Sequence, residues 1–248
     1  MFLNSVVLLL LAGCSAPPEP SPLEPTVVRD ADIDPRDHAT PRSYDEPLDV
    51  AYHPPEGFTS VDTDPLGVWL RARKIGPVFQ PLLSWRGDAV LHPGRLVRMG
   101  LTGHSQVGLE SAVRLRAEYL RESGDPVAFH ISGGETLTFA PGADWDAWLA
   151  GLFEQVDPDT VRSDSVPAAA PRPGDVLVQE TGEHAATIMD VAVKGDEVLV
   201  LIGEGYVPAQ YFHVEHGPYS YWWPWHPEDG VEGFHEPLPA STLRRWKD

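Results

Sequence analysis

Cysteine is almost absent from this chain: a single one, Cys14, stands in 248 residues. One thiol excludes an intrachain disulfide and any site built from several cysteine ligands, so the folded part must be held by its core. Positive charge is scarce as well. Eighteen Lys and Arg face 37 Asp and Glu, for a formal net charge of −19 at pH 7. That balance argues against nucleic acid as a partner and against a polybasic contact with anionic lipid. It speaks to solubility and names no partner. Long apolar runs are missing too: residues 6–11 form an apolar stretch far short of the roughly 20 residues that span a bilayer. No internal repeat, no second membrane-crossing stretch and no HExxH pattern occurs.

The short apolar stretch is closed by Ala12-Gly13-Cys14-Ser15, which is how a secretory leader ends. Leu11-Ala12-Gly13-Cys14 resembles the bacterial lipobox, in which the leader is cut before the cysteine and its thiol and new amino group are acylated. The resemblance implies a lipoprotein signal peptide over residues 1–13, lipidation of Cys14 (palmitate among the chains), and a membrane partner held through the lipid. Several chains hold stably where one is marginal, each buried methylene adding roughly 0.8 kcal/mol. The start departs from the usual positively charged leader, having no Lys or Arg before Val6. Ser15 after the cysteine resembles an outer-membrane sorting signal, so the expected location is the cell envelope of outer membrane and periplasm, lipid-anchored at the outer membrane, with no leaflet or orientation assigned. With Cys14 committed to lipid, no thiol remains for catalysis.

Residues 15–57 carry ten prolines among acidic and small side chains. Such a composition cannot bury enough apolar surface to offset its ordering entropy, so residues 14–57 are expected to be a disordered, lipid-anchored tether. Residues 58–248 are long enough for a single globular domain. Asp64-Pro65 reads as a cap and first-turn proline opening a short helix through Leu66, Trp69 and Leu70. Leu109, Ala112, Val113, Ala117 and Leu120 follow helical spacing, with Gly124 as terminator. Residues 145–153 form another helix, with Trp145, Trp148, Leu149 and Leu152 on one face. Strands are expected at 96–101, 127–131, 176–178 after a Pro173-Gly174-Asp175 turn, 185–193 and 198–202, the last two joined at Gly195-Asp196. A helical half followed by an antiparallel sheet is an α+β class.

Two stretches are specific. Residues 111–120 read SAVRLRAEYL, and residues 173–214 contain PGDVLVQ, GEHAATIMDVAV and VLIGEGYVPAQYFHV. In this order, with Trp69-Leu70-Arg71 and the later Trp223-Pro224-Trp225, they resemble the bacterial family known as domain of unknown function 4846. The resemblance covers most of residues 58–246, residues 133–143 being shortened against the family pattern. The layout of a Gly-Asp turn, a strand, a histidine opening the next strand, and a strand ending in a polar residue is also similar to papain-like peptidases of the NlpC type. Those cut peptidoglycan stem peptides with a cysteine at a helix N-terminus, a histidine base and a polar residue that orients the ring. The resemblance implies His184 as base and Glu204 as orienter. It places the family's cysteine, in a Gln-Gln-Cys-Ala, at Gly108, and glycine cannot attack.

Three readings stay open. The site is degenerate and binds peptidoglycan or a peptide without cutting it, so that the chain is not an enzyme. Alternatively Ser111 or Ser105 replaces the thiol, which needs a strong base and oxyanion donors. In the third, His184 serves a non-enzymatic structural role. No cofactor is called for. His213, His216, His226 and His235 invite a metal reading, but Tyr211-Phe212-His213-Val214 alternates like a strand and would turn His213 and His216 to opposite faces; the expectation is no metal. Residues 219–225 are the densest aromatic cluster, and core packing is preferred over a sugar-stacking platform. Arg114, Arg116 and Glu118 could pair with a ligand carboxylate, though such helix faces are more often solvated or locally paired. Glycines on both sides of Glu204 would allow close approach, and Glu204 beside His184 would raise the histidine's pKa by charge proximity.

Overall fold

The computed structural model describes residues 45–78, 80–90, 94–179, 184–235 and 237–248. Cys14, the leader and the first part of the expected tether lie outside the described residues. The rest is mixed α+β. Five helices accompany an antiparallel sheet: α1 (Leu48–Ala51), α2 (Pro65–Arg71), α3 (Gly108–Ser123), α4 (Trp145–Phe153) and α5 (Pro158–Ser163). Among the described residues no helix is long and apolar enough to cross a membrane.

The sheet runs in the order Gly230–Val231, Trp222–His226, Glu197–Glu204, Ala185–Lys194, Val176–Val178, Leu243–Trp246 and Ser165–Pro167. His213–Val214 pairs with the end of Glu197–Glu204 and with Arg95–Leu96, and Thr59–Ser60 pairs with Ala192 and Val193. The central hairpin is buried on both faces. One face packs Leu199 and Leu201 against the helices; the other packs Val200 and Ile202 against Trp223, Trp225 and Phe234. Period-two alternation breaks once. Ala185 and Met189 face the helices and Ala186 and Ile188 the other layer, yet Val191 and Ala192 have exchanged roles. The register shifts between Ile188 and Asp190, so a bulge there flips the pattern. Arg71 then meets the buried Asp190 carboxylate through both Nε and Nη2, the shortest contact being 2.7 Å.

Helix α3 follows its apolar spacing: Leu109, Ala112, Val113 and Ala117 are all buried. At its start the Glu110 carboxylate accepts from the Val107 N–H at 3.2 Å. Gly124 ends it at φ 79°, a left-handed conformation that disfavours residues with a β-carbon. α2 is capped as its sequence implies, Asp64 accepting from the Gly67 N–H, and at α4 Asp144 accepts from the Ala147 N–H.

Two expectations change. Residues 45–57, assigned to the tether, belong to the fold: Leu48 and Tyr52 are core residues, and Arg98 and Asp45 form a buried two-pronged ion pair at 2.8 and 2.9 Å. The apolar Leu48, Val50 and Tyr52 were diluted by the prolines around them. The strand expected at 96–101 is only Arg95–Leu96. Beyond it Val97 makes a single bridge to Ile75, and the chain turns where the Met99 N–H meets the Val97 carbonyl at 2.7 Å.

Candidate functional site

The Thr187↔Gly203 register sets His184 and Glu204 at the same end of two neighbouring strands. Both occupy positions that alternate with Ala186, Ile188, Val200 and Ile202, hence one face. There His184 Nε2 lies 3.1 Å from Glu204 Oε2. The helix side comes equally close. Gly108 opens α3, and a β-carbon built on it would stand 3.1 Å from His184 Nδ1 and 3.2 and 3.3 Å from the Ala185 backbone N and O. Gly108, His184 and Glu204 therefore converge, with the two ring nitrogens facing opposite neighbours.

The glycines around Glu204 make this packing possible. A β-carbon at Gly203 would run into Phe212 and Met189, and one at Gly205 into the Ser111 hydroxyl. Glu204 is fully buried. Burial alone would raise its pKa, but contacts with His184 and His235 outweigh that and hold the carboxyl at about 2.

His235 completes the group. It lies in the loop after Gly230–Val231, and its Nε2 is 3.2 Å from the other Glu204 oxygen, Oε1. Tyr206 stands 5.1 Å from the His235 ring and 5.9 Å from that of His184, centroid to centroid, and Phe234 packs 4.3 Å from His235. In the sequence His235 stands only among the four histidines weighed as metal ligands and set aside, and no spacing rule links it to Glu204.

A second pair lies behind Glu204. His213 is fully buried; its Nδ1 is 3.0 Å from the Tyr211 carbonyl and its Nε2 2.8 Å from Glu215 Oε1. A carbonyl only accepts, so Nδ1 carries a proton. Burial opposes a charged ring, but Glu215 overrides it, and the His213 pKa is raised. His184, Glu204 and His235 form one group whose ligand atoms could hold a metal, and Glu204, His213 and Glu215 another.

The other named residues fall elsewhere. The Ser111 hydroxyl is buried against Gly205 with no hydrogen-bond partner, and Ser105 donates to Glu154 at 2.5 Å, so neither serine is bonded to His184. His216 is exposed beside Tyr221, and His226 pairs with Glu232 at the surface. Trp222, Trp223 and Trp225 are core residues. Arg114 is buried and bonded to Thr102, Gln106 and Glu118; Arg116 donates to the Lys247 carbonyl. A cavity of about 400 Å³ lined by His130, Ser132, Asp157 and Arg162 shares no residue with the histidine cluster. No protein family, curated protein or solved structure matches the chain.

Proposed function

We propose that this chain is a lipid-anchored cell-envelope protein, tethered through Cys14, whose domain carries a papain-like, NlpC-type site with glycine in the nucleophile's place. It binds peptidoglycan stem peptides or a similar peptide and does not cut them. One observation carries the reading: Gly108 is the first residue of a helix, and its missing β-carbon would face His184 Nδ1 while Glu204 Oε2 lies 3.1 Å from Nε2. That is the order of nucleophile, base and orienter, with nothing at the first position able to attack. The half-buried Tyr206 beside His184 and His235 offers a ring and a hydroxyl to a ligand at the same place. Fold likeness by itself does not deliver function, so the ligand is the point to test.

The test is incubation of the purified chain with defined muropeptides, following retention and cleavage together. Retention without new products, weakened by His184→Ala, is the expected result. Cleavage abolished by His184→Ala would make the protein a hydrolase instead, and absence of both would remove the peptide from the reading.

A further inference from the structure

His184 Nε2 and His235 Nε2 approach opposite oxygens of one buried carboxylate, at 3.1 and 3.2 Å. Ordinary hydrogen bonds would account for such distances if the atoms were aligned. They are not: His184 Nε2 and both Glu204 oxygens are buried with no aligned hydrogen-bond partner. Buried polar atoms left in this way are costly to desolvate and call for a partner. One ligand atom from each of the three residues lies within 4.8 Å of the other two. Metal–ligand bonds of about 2.0–2.2 Å in a tetrahedral site set ligand atoms about 3.4 Å apart. Each measured contact is within a few tenths of an ångström of that, and because the two fall on different oxygens of Glu204, a slight turn of the carboxylate or movement of the loop bearing His235 lets one ion reach all three residues.

The neighbouring group is a poorer candidate. Glu204, His213 and Glu215 are sealed from solvent, and both His213 nitrogens are engaged, by a carbonyl and by Glu215. His235, by contrast, is 36% exposed in its side chain and gives an ion a way in. The inner pair then serves as support, Glu215 lying against Glu204 and His213 against Glu215, as carboxylates that bind metals are commonly held.

We propose that His184, Glu204 and His235 hold one divalent transition-metal ion in a three-ligand site whose remaining position opens beside Tyr206. Two imidazoles and a carboxylate suit zinc and its first-row neighbours better than magnesium or calcium, which prefer oxygen alone. The site does not rest on the papain-like reading. It uses His184 differently: an ion on Nε2 puts the proton on Nδ1, the nitrogen that faces Gly108, whereas in the metal-free ring Nε2 carries the proton toward Glu204.

The full chain, stripped with a chelator and dialysed, is titrated with zinc chloride by calorimetry, and with cobalt(II) to read ligand type from its visible absorption. One equivalent at micromolar zinc or tighter is expected, with a cobalt spectrum of nitrogen and oxygen ligation. His235→Ala alters a partly exposed loop residue and should weaken uptake about a hundredfold or more, since even supporting residues are typically worth 10–100-fold. His226→Ala, a surface control, should leave it unchanged. Near-ultraviolet circular dichroism checks the fold of each variant, and the wild-type cobalt spectrum stands whether or not a variant folds. No uptake at micromolar zinc, or uptake unchanged by His235→Ala, overturns the site. Muropeptide retention by the stripped chain is read separately, so either proposal can fail alone.

Discussion

Replacing Gly108 by cysteine, with Cys14→Ser so that the new thiol is alone, tests the geometry around His184 directly. The β-carbon would stand 3.1 Å from His184 Nδ1 and 3.2–3.3 Å from the Ala185 backbone, so α3 must back away by a few tenths of an ångström. Overpacking of that kind costs about 1–3 kcal/mol, which a folded domain survives. Three effects then act on the thiol. Burial beside the strand raises its pKa. The N-terminus of a 16-residue helix lowers it by about 0.3–1 kcal/mol. A protonated His184 about 4 Å away lowers it by about 4 kcal/mol at an effective dielectric of 20. One pKa unit is about 1.4 kcal/mol, so the ion pair decides the sign.

The expected midpoint is about 6, against about 8.5 for a free thiol. Thiolate ultraviolet absorbance against pH, in the presence of chelator, reads it without requiring reagent access. Adding His184→Ala should move the midpoint back up by at least about 1.5 units, the imidazolium being the larger lowering term. A midpoint at or above the free-thiol value in the folded variant, or one indifferent to His184→Ala, would refute the claim that this ring addresses position 108.

Asp45→Ala should destabilise the domain by about 3–5 kcal/mol in urea unfolding, because it leaves Arg98 buried without its carboxylate; a change near zero would return residues 45–57 to the tether. Ser111→Ala should be neutral or slightly stabilising, since it removes a buried hydroxyl that has no partner, and it should relieve part of the loss of about 1–3 kcal/mol expected from Gly205→Ala, the Val107 carbonyl and the residue-111 β-carbon staying close. A penalty of Gly205→Ala that is the same in both backgrounds would show that the hydroxyl is not what the methyl group meets. The His213 pKa is raised on folding, so its contribution is complete below the unfolded value of about 6.5 and is lost as pH rises through the folded value. The melting temperature of the stripped chain should therefore fall on the alkaline side, with a shallower fall in His213→Gln; equal slopes would contradict the buried ion pair with Glu215.

The elements legible in the sequence were those whose signal is local. α3 announces itself by Leu109, Ala112, Val113 and Ala117, and Gly124 ends it where the left-handed cap stands. The central hairpin is an apolar run, a Gly195-Asp196 turn and another run. His184 and Glu204 were paired through the resemblance to NlpC-type peptidases, and the register of their two strands sets them at one end, 3.1 Å apart. What escaped depends on contacts distant in sequence. Arg98 is buried only because Asp45 reaches it across 53 positions, and Leu243–Trp246 finds Ser165–Pro167 through the fold, not through any local pattern. The bulge before Asp190 goes with a contact to Arg71, which lies 119 residues away. His235 has no periodicity at all: it sits in an irregular loop, and only the closing of that loop over Glu204 gives it a role.

The same distances say where a ligand can sit. At Gly108 the helix has approached so closely that even a β-carbon is tight against His184 and the Ala185 backbone. Position 108 is thus a packing contact, and a cysteine there would need the helix to stand further off. That leaves little room for a scissile bond on the Nδ1 side of His184. The other side differs: His235 is partly exposed and Tyr206 half-buried around the buried Glu204 carboxylate. Any ligand that uses this centre, ion or peptide, must approach through the Nε2 side. Variants of His235 and Tyr206 should accordingly alter binding more than any change that merely enlarges the space over Gly108.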